Sequence, residues 1–308
     1  MKKPAALALL LPSIVFAAPF AYVSNEGSGS VSVVDTATDT VVDTLDIGGK
    51  PRGAAAAGQW LYVSDQPGNR LVLVDLKERK TSGAIALGVS PEGVGRSSDG
   101  RWIAAASEQS NSVTFIDTAT RKEVFTVKVK GQNPEHAEFS PDGSTVYASA
   151  EDGDTVEVID VARREQTGQI KVGERPRGIG FLPDGSRAYV AAENADTVFV
   201  IDARKHTVLA KIAAGKRSNG ITVHPDGKRV YISNGGDASV SVLDTATNAI
   251  VATIAVGQRP WNMALTPDGR KLYVACGRSG VVSVIDTQTH LKLRDITVGK
   301  LPWGVVVQ

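Results

Sequence analysis

Apolar, β-branched-rich runs of five or six residues recur along most of the chain, each stopped by glycine, proline or aspartate. The unit from Pro176 to Gly215 shows the pattern in full. Arg177-Gly178-Ile179-Gly180-Phe181 reads as a short first strand, A. Pro183-Asp184-Gly185 follows as a tight turn, in which proline presets φ and glycine takes the left-handed position. Ala188 to Ala192 reads as strand B, Thr197 to Ile201 as strand C ending on Asp202, and Thr207 to Ile212 as strand D. The small residues of strand A suit an inner position, where strands crowd around an axis.

The aspartate that closes strand C recurs as Asp35, Asp75, Asp117, Asp160, Asp202, Asp244 and Asp286, at spacings of 40 to 43 residues. A period near 42 with four strands per unit predicts an all-β fold, a seven-bladed β-propeller of four-stranded antiparallel blades. Carboxylates repeated at one structural place point to scaffold: each is expected to accept hydrogen bonds from the amides of its own C–D turn. Ala21 to Asn25 reads as a strand B with no A before it, and Trp303 to Val307 as a strand A with nothing after it. Together they complete one blade, which closes the ring and removes the open sheet edge of a linear array.

The 308 residues would permit two domains, but the repeat claims everything after the first twenty. Residues 1–17 are expected to be a signal peptide and 18–308 the propeller. Lys2 and Lys3 form a basic start, an apolar run extends from Ala5 to Phe16, and Val15-Phe16-Ala17 has the small-residue pattern of a cleavage site. The run is too short to span a membrane, so a periplasmic, exported monomer is the expectation. Cys276 is the only cysteine, so no internal disulfide and no C-x-x-C-H haem attachment can form. With 34 basic against 33 acidic residues the net charge is +1, which argues against nucleic-acid binding driven by bulk charge.

Tyr22-Val-Ser-Asn, Tyr189-Val-Ala-Ala, Tyr231-Ile-Ser-Asn and Tyr273-Val-Ala-Cys resemble the YVTN-type β-propeller repeat, as do the V-S-V-I-D-T-A-T and V-G-x-x-P-x-G stretches. The blade at Trp102-Ile103-Ala104 lacks the tyrosine. More narrowly, the opening segment from Ala21 to Asp39, the closing Val298 to Gln308 and the seven repeats resemble the propeller family associated with PQQ-dependent alcohol catabolism. That resemblance implies an exported protein acting beside periplasmic quinoprotein dehydrogenases, and it carries over no catalytic residue and no cofactor.

Where the blades disagree, function is sought. The residue that begins strand A at the channel mouth reads Trp303, Arg52, Glu92, Glu135, Arg177, Asn219 and Trp261 around the ring. The glycine after it is replaced twice, by His136 and Asn262. Trp261 and Trp303 are expected to form an aromatic wall, and the arginines to act as forks for a planar anionic ligand or a docking protein loop. Loop residues Lys50, Arg175, Lys216, Arg217, Arg259 and Lys300 add a basic crescent, and Glu26, Glu108, Glu151, Asp152, Asp154, Glu193 and Asp196 add acids. Glu138 is expected in the channel near Glu135, and His224 in an exposed turn.

These positions favour a non-catalytic binding or scaffold protein, with a periplasmic redox or dehydrogenase protein, or a small planar anion, as its partner. The alternative is a lactonase-like or metal-dependent hydrolase, in which Glu92, Glu135 and His136 hold a divalent cation or serve as acid and base. A second alternative, nucleic-acid binding by the basic loops, is opposed by the interleaved acids.

Overall fold

The computed structural model describes residues 19–308; the expected signal peptide lies outside the described residues. Among them, twenty-eight strands form seven four-stranded antiparallel sheets. In the unit read above, the strands are Pro176–Phe181, Arg187–Ala192, Thr197–Asp202 and Thr207–Ala213, in sequence order from the inside out. The blade assembled from both ends has the order Pro302–Val307, Phe20–Asn25, Ser30–Asp35, Thr40–Asp46, with Tyr22 opposite Val306 and Val23 opposite Val305. The ring is therefore closed by main-chain pairing between the two ends of the propeller.

Burial follows position within the blade. In Arg187–Ala192 every residue after the first is buried, because both faces of strand B are covered by neighbouring blades. In the outermost Thr207–Ala213, exposed and half-buried residues alternate, as expected where one face meets solvent. Cores form between blades: Tyr147, Val156 and Val158 of one pack with Ile179, Val190 and Phe199 of the next. The tyrosines of the repeat carry a polar group into these cores, and three of them give it a partner, while the Tyr189 and Tyr231 hydroxyls are buried without one. Tyr62 reaches the carbonyl of Thr118 and Tyr147 that of Ala203, each on the following blade, and Tyr273 reaches Thr36 across the closing junction.

All seven C–D aspartates accept amide hydrogen bonds from their own turns, as at Asp35 from Ala37 and Thr38 and at Asp244 from Ala246 and Thr247. One turn residue departs from expectation. His224 is buried, not exposed, at 9% accessibility. Its Nε2 meets the carbonyl oxygen of Gly269 on the next blade at 3.2 Å and its Nδ1 meets Asp226. The A–B turns of adjacent blades touch here, so a side chain at this place bridges blades.

Candidate functional site

The mouth is built by one repeated irregularity. Along strand A the pairing with strand B jumps: Pro51 faces Asp65 but Ala54 faces Val63, and Pro176 faces Ala192 but Ile179 faces Val190. The same jump follows Pro91, Pro134, Ser218, Pro260 and Pro302. In all seven blades the mouth residue, Arg52, Glu92, Glu135, Arg177, Asn219, Trp261 or Trp303, has no partner in the ladder, and in five of them the residue after it has none either. A β-bulge frees a side chain from strand alternation and re-aims it. Seven bulges in register aim seven side chains at one ring.

The glycine beside each bulge has a steric reason. A Cβ on Gly53 would lie 2.3 Å from the carbonyl oxygen of Glu92, and one on Gly178 would lie 2.6 Å from that of Asn219. Inner strands thus abut the mouth residue of the next blade, leaving no room for a side chain. Ser64 ties the same junction by donating to the Glu92 carbonyl at 2.6 Å.

The two blades that break the glycine rule are joined to each other. His136 Nε2 lies 3.3 Å from Asn262 Oδ1, and the Asn262 amide donates to the carbonyl of Trp303 at 3.4 Å. The His136 and Trp303 rings stack at 5.6 Å and 13°. With the amide oxygen able only to accept, Nε2 carries the proton, and Nδ1 is left buried without a partner. Burial holds the imidazole below its ordinary pKa, so it is neutral.

Trp303 borders two cavities. Above is the mouth, of about 310 Å³, which also takes in Arg52, Glu135, Arg177, Asn219 and Trp261. Below is an axial cavity of about 190 Å³, lined by Ala54, Val94, Ile179, Ile221, Met263 and Val305 with the Glu138 carboxyl. Burial alone raises Glu138 to about 8. A larger groove, about 550 Å³, lies between the Pro141 and Pro183 turns on the opposite face. Its walls are repeated turn residues, so it is a product of the scaffold.

Several expectations for the mouth change. The tryptophans do not form one open wall: Trp303 is 7% accessible and committed to His136. Trp261 stays half-open, seated over Gly277, where a Cβ would meet its ring at 2.5 Å, with Arg259 at 5.8 Å from the ring centre. Nor are the arginines open forks. Arg52 pairs with Glu92 and, at 3.1 Å, with Glu26. Arg177 pairs with Glu135, with Glu151 at 2.5 Å and with Glu193 at 3.0 Å. Glu193 is fully buried and also receives Arg175, Arg217 and Arg259. Of the basic crescent, the arginines turn inward to glutamates while Lys50, Lys216 and Lys300 remain exposed.

Glu108, Glu151 and Glu193 were expected among the loop acids of the mouth, but their convergence on the strand A arginines and glutamates was not. The available signal was that Glu26, Glu108, Glu151 and Glu193 each follow directly on strand B, in four of seven blades. Glu92, Glu108 and Glu135 converge, with one ligating oxygen from each within 4.8 Å of the others. Burial, and then the charge of Glu135, push Glu92 and Glu108 upward. Burial is the largest influence on Glu135 and opposes its ionisation, but Arg177 and the other neighbouring groups together outweigh it and hold that carboxyl down. His136 is not among the converging ligands.

The chain belongs to the YNCE-like β-propeller family, whose model it matches over residues 4–308. No curated protein matches it. Among solved structures it is similar to a chain of Kuenenia stuttgartiensis hydrazine synthase, at 24% identity and TM-score 0.79 over 86% of this chain and 92% of that one. It is also similar to a functionally unknown protein from Desulfotomaculum acetoxidans DSM 771, at 16% identity and TM-score 0.83 over 94% and 98% of the two chains. Both likenesses are of fold.

Proposed function

We propose that this YNCE-like propeller is a non-catalytic binding module, exported to the periplasm, that docks a partner protein on its mouth face. The observation that carries this reading is the state of the mouth arginines. Arg52, Arg177, Arg217 and Arg259 are each paired with glutamates. A small anion would have to displace those carboxylates. A protein loop would not, since it can cover a charge-balanced rim and take its affinity from apolar anchors at the centre. Trp261 is half-open at the mouth, and Leu301, 40% accessible, borders the same cavity.

The basic start, apolar core and Val15-Phe16-Ala17 of the first seventeen residues support export. The resemblance of both chain ends to propellers of PQQ-dependent alcohol catabolism supports a partner of the quinoprotein dehydrogenase class or a related redox protein. The test is crosslinking in intact cells from a photoreactive residue at position 301, with position 209 on an outer strand as reference. The reading requires one dominant adduct at 301 that is lost when Trp261 is replaced by alanine. Equal adducts at 301 and 209, or an adduct indifferent to Trp261→Ala, would remove it.

A further inference from the structure

Three carboxyl groups meet where Arg52, Glu92 and Glu135 line up on adjacent inner strands. Glu92 and Glu135 are 0% and 1% accessible. Each places one oxygen, Oε1, on an arginine, Arg52 and Arg177 respectively, and leaves Oε2 buried with no hydrogen-bond donor. Glu108 enters from the B–C loop, its Oε2 held by the Ser90 hydroxyl at 2.9 Å. Gln66 donates to Glu92 Oε1 at 2.9 Å and to Ser90 Oγ at 3.1 Å, which ties two of the three carboxyls into one frame.

A buried carboxylate oxygen without a donor is costly unless something positive occupies the space before it. Here two of the three converging carboxyls each carry such an oxygen, and their other oxygens are already fixed by arginines and an amide. This is how outer partners orient a ligating carboxylate, leaving its second oxygen for the ion. We propose that Glu92, Glu108 and Glu135 form a site for a divalent cation of the calcium class at the floor of the mouth. The donor set is all oxygen, which selects a hard cation over zinc or copper. Two oxygens on opposite sides of Ca²⁺ lie about 4.6–5.2 Å apart, twice the usual bond length. All three oxygens lie within 4.8 Å of one another, inside that limit. The open mouth leaves room for water to complete the six to eight ligands such an ion takes, about half of which the three carboxyls would supply. Glu135 and Glu92 are bulge residues of neighbouring blades, so the ion would also brace that junction. The site does not depend on partner docking, because neither Trp261 nor Leu301 contributes a ligand.

The test is calorimetric titration of Ca²⁺ into chelator-treated protein, with native mass spectrometry to count ions. The expected result is one Ca²⁺ per chain, weakened at least about tenfold by Glu92→Gln and by Glu108→Gln. The half-exposed Glu108 can be changed with little risk to folding, and the melting temperature without calcium checks both variants. Glu174→Gln, an exposed acid on a loop of the same face, should leave binding unchanged, and so should Trp261→Ala. No uptake of Ca²⁺, Mn²⁺ or Mg²⁺ by the wild type would overturn the proposal, as would equal binding by the folded Glu108→Gln variant.

Discussion

Glu138 shows how much a single position can depart from its repeat. Other blades place Gly95, Gly180, Ala55, Ala264, Thr222 and Val306 there, none of them ionisable. Its carboxyl borders the axial cavity and burial raises it to about 8, against an ordinary value of 4.5. A raised acid favours folding fully below about 4.5, loses that contribution as pH climbs, and has none left above about 8. Because the cavity has space for water, only part of the full difference is realised. Glu138→Gln should therefore match wild-type stability near pH 4 and exceed it by about 1–3 kcal/mol at pH 8.5, as read by urea unfolding. Identical pH profiles for the two proteins would show a solvated carboxyl. At this scale the sequence was legible where residues repeat and opaque where they bridge blades. The seven aspartates declared their turns, whereas nothing local in His224 announced the Gly269 carbonyl that buries it.

At the scale of elements, strands and tight turns followed from apolar runs and Gly, Pro and Asp punctuation, and strand limits agree to within a residue or two. The bulge on strand A did not follow, since residue type alone does not reveal a one-residue jump in the ladder. Yet the bulge makes the mouth: without it, alternation would place the mouth residue in register with the ladder instead of aiming it at the ring. The glycines that permit it are correspondingly intolerant. At Gly178 an added methyl would meet the Asn219 backbone oxygen at 2.6 Å, and backbone must shift to make space. Gly178→Ala should cost about 1–3 kcal/mol in urea unfolding, while Gly168→Ala on an outer strand, whose added methyl would meet its nearest neighbour at an ordinary 3.5 Å, should cost under about 1. Equal effects would mean that the inner strands are not close-packed. The ring residues themselves could be picked out from the sequence, but their pairing could not. Arg52 meeting Glu92 and Arg177 meeting Glu135 join neighbouring blades and depend on where the bulge aims each side chain, whereas His136 meeting Asn262 depends on which blades face each other across the axis.

For the whole molecule, closure decides stability. Pro302–Val307 is the inner strand of the blade that begins with Phe20–Asn25, and Tyr273 reaches Thr36 across the same junction. Deleting residues 303–308 would leave the Phe20–Asn25 strand unpaired on its inner side and should lower the melting temperature by about 10 °C or more. An unchanged melting curve would mean the ring does not rely on that pairing. Closure also puts Trp303 and Leu301 beside Trp261, so the face assigned to docking exists only in the complete ring. The central claim is that this face holds a protein partner, and native mass spectrometry of the protein released gently from its own cells tests it most directly. The account predicts the mass of one added protein subunit, absent from the folded Trp261→Ala, Leu301→Ala double variant. A subunit retained by that variant, or a wild-type chain carrying only a small anion, would contradict it.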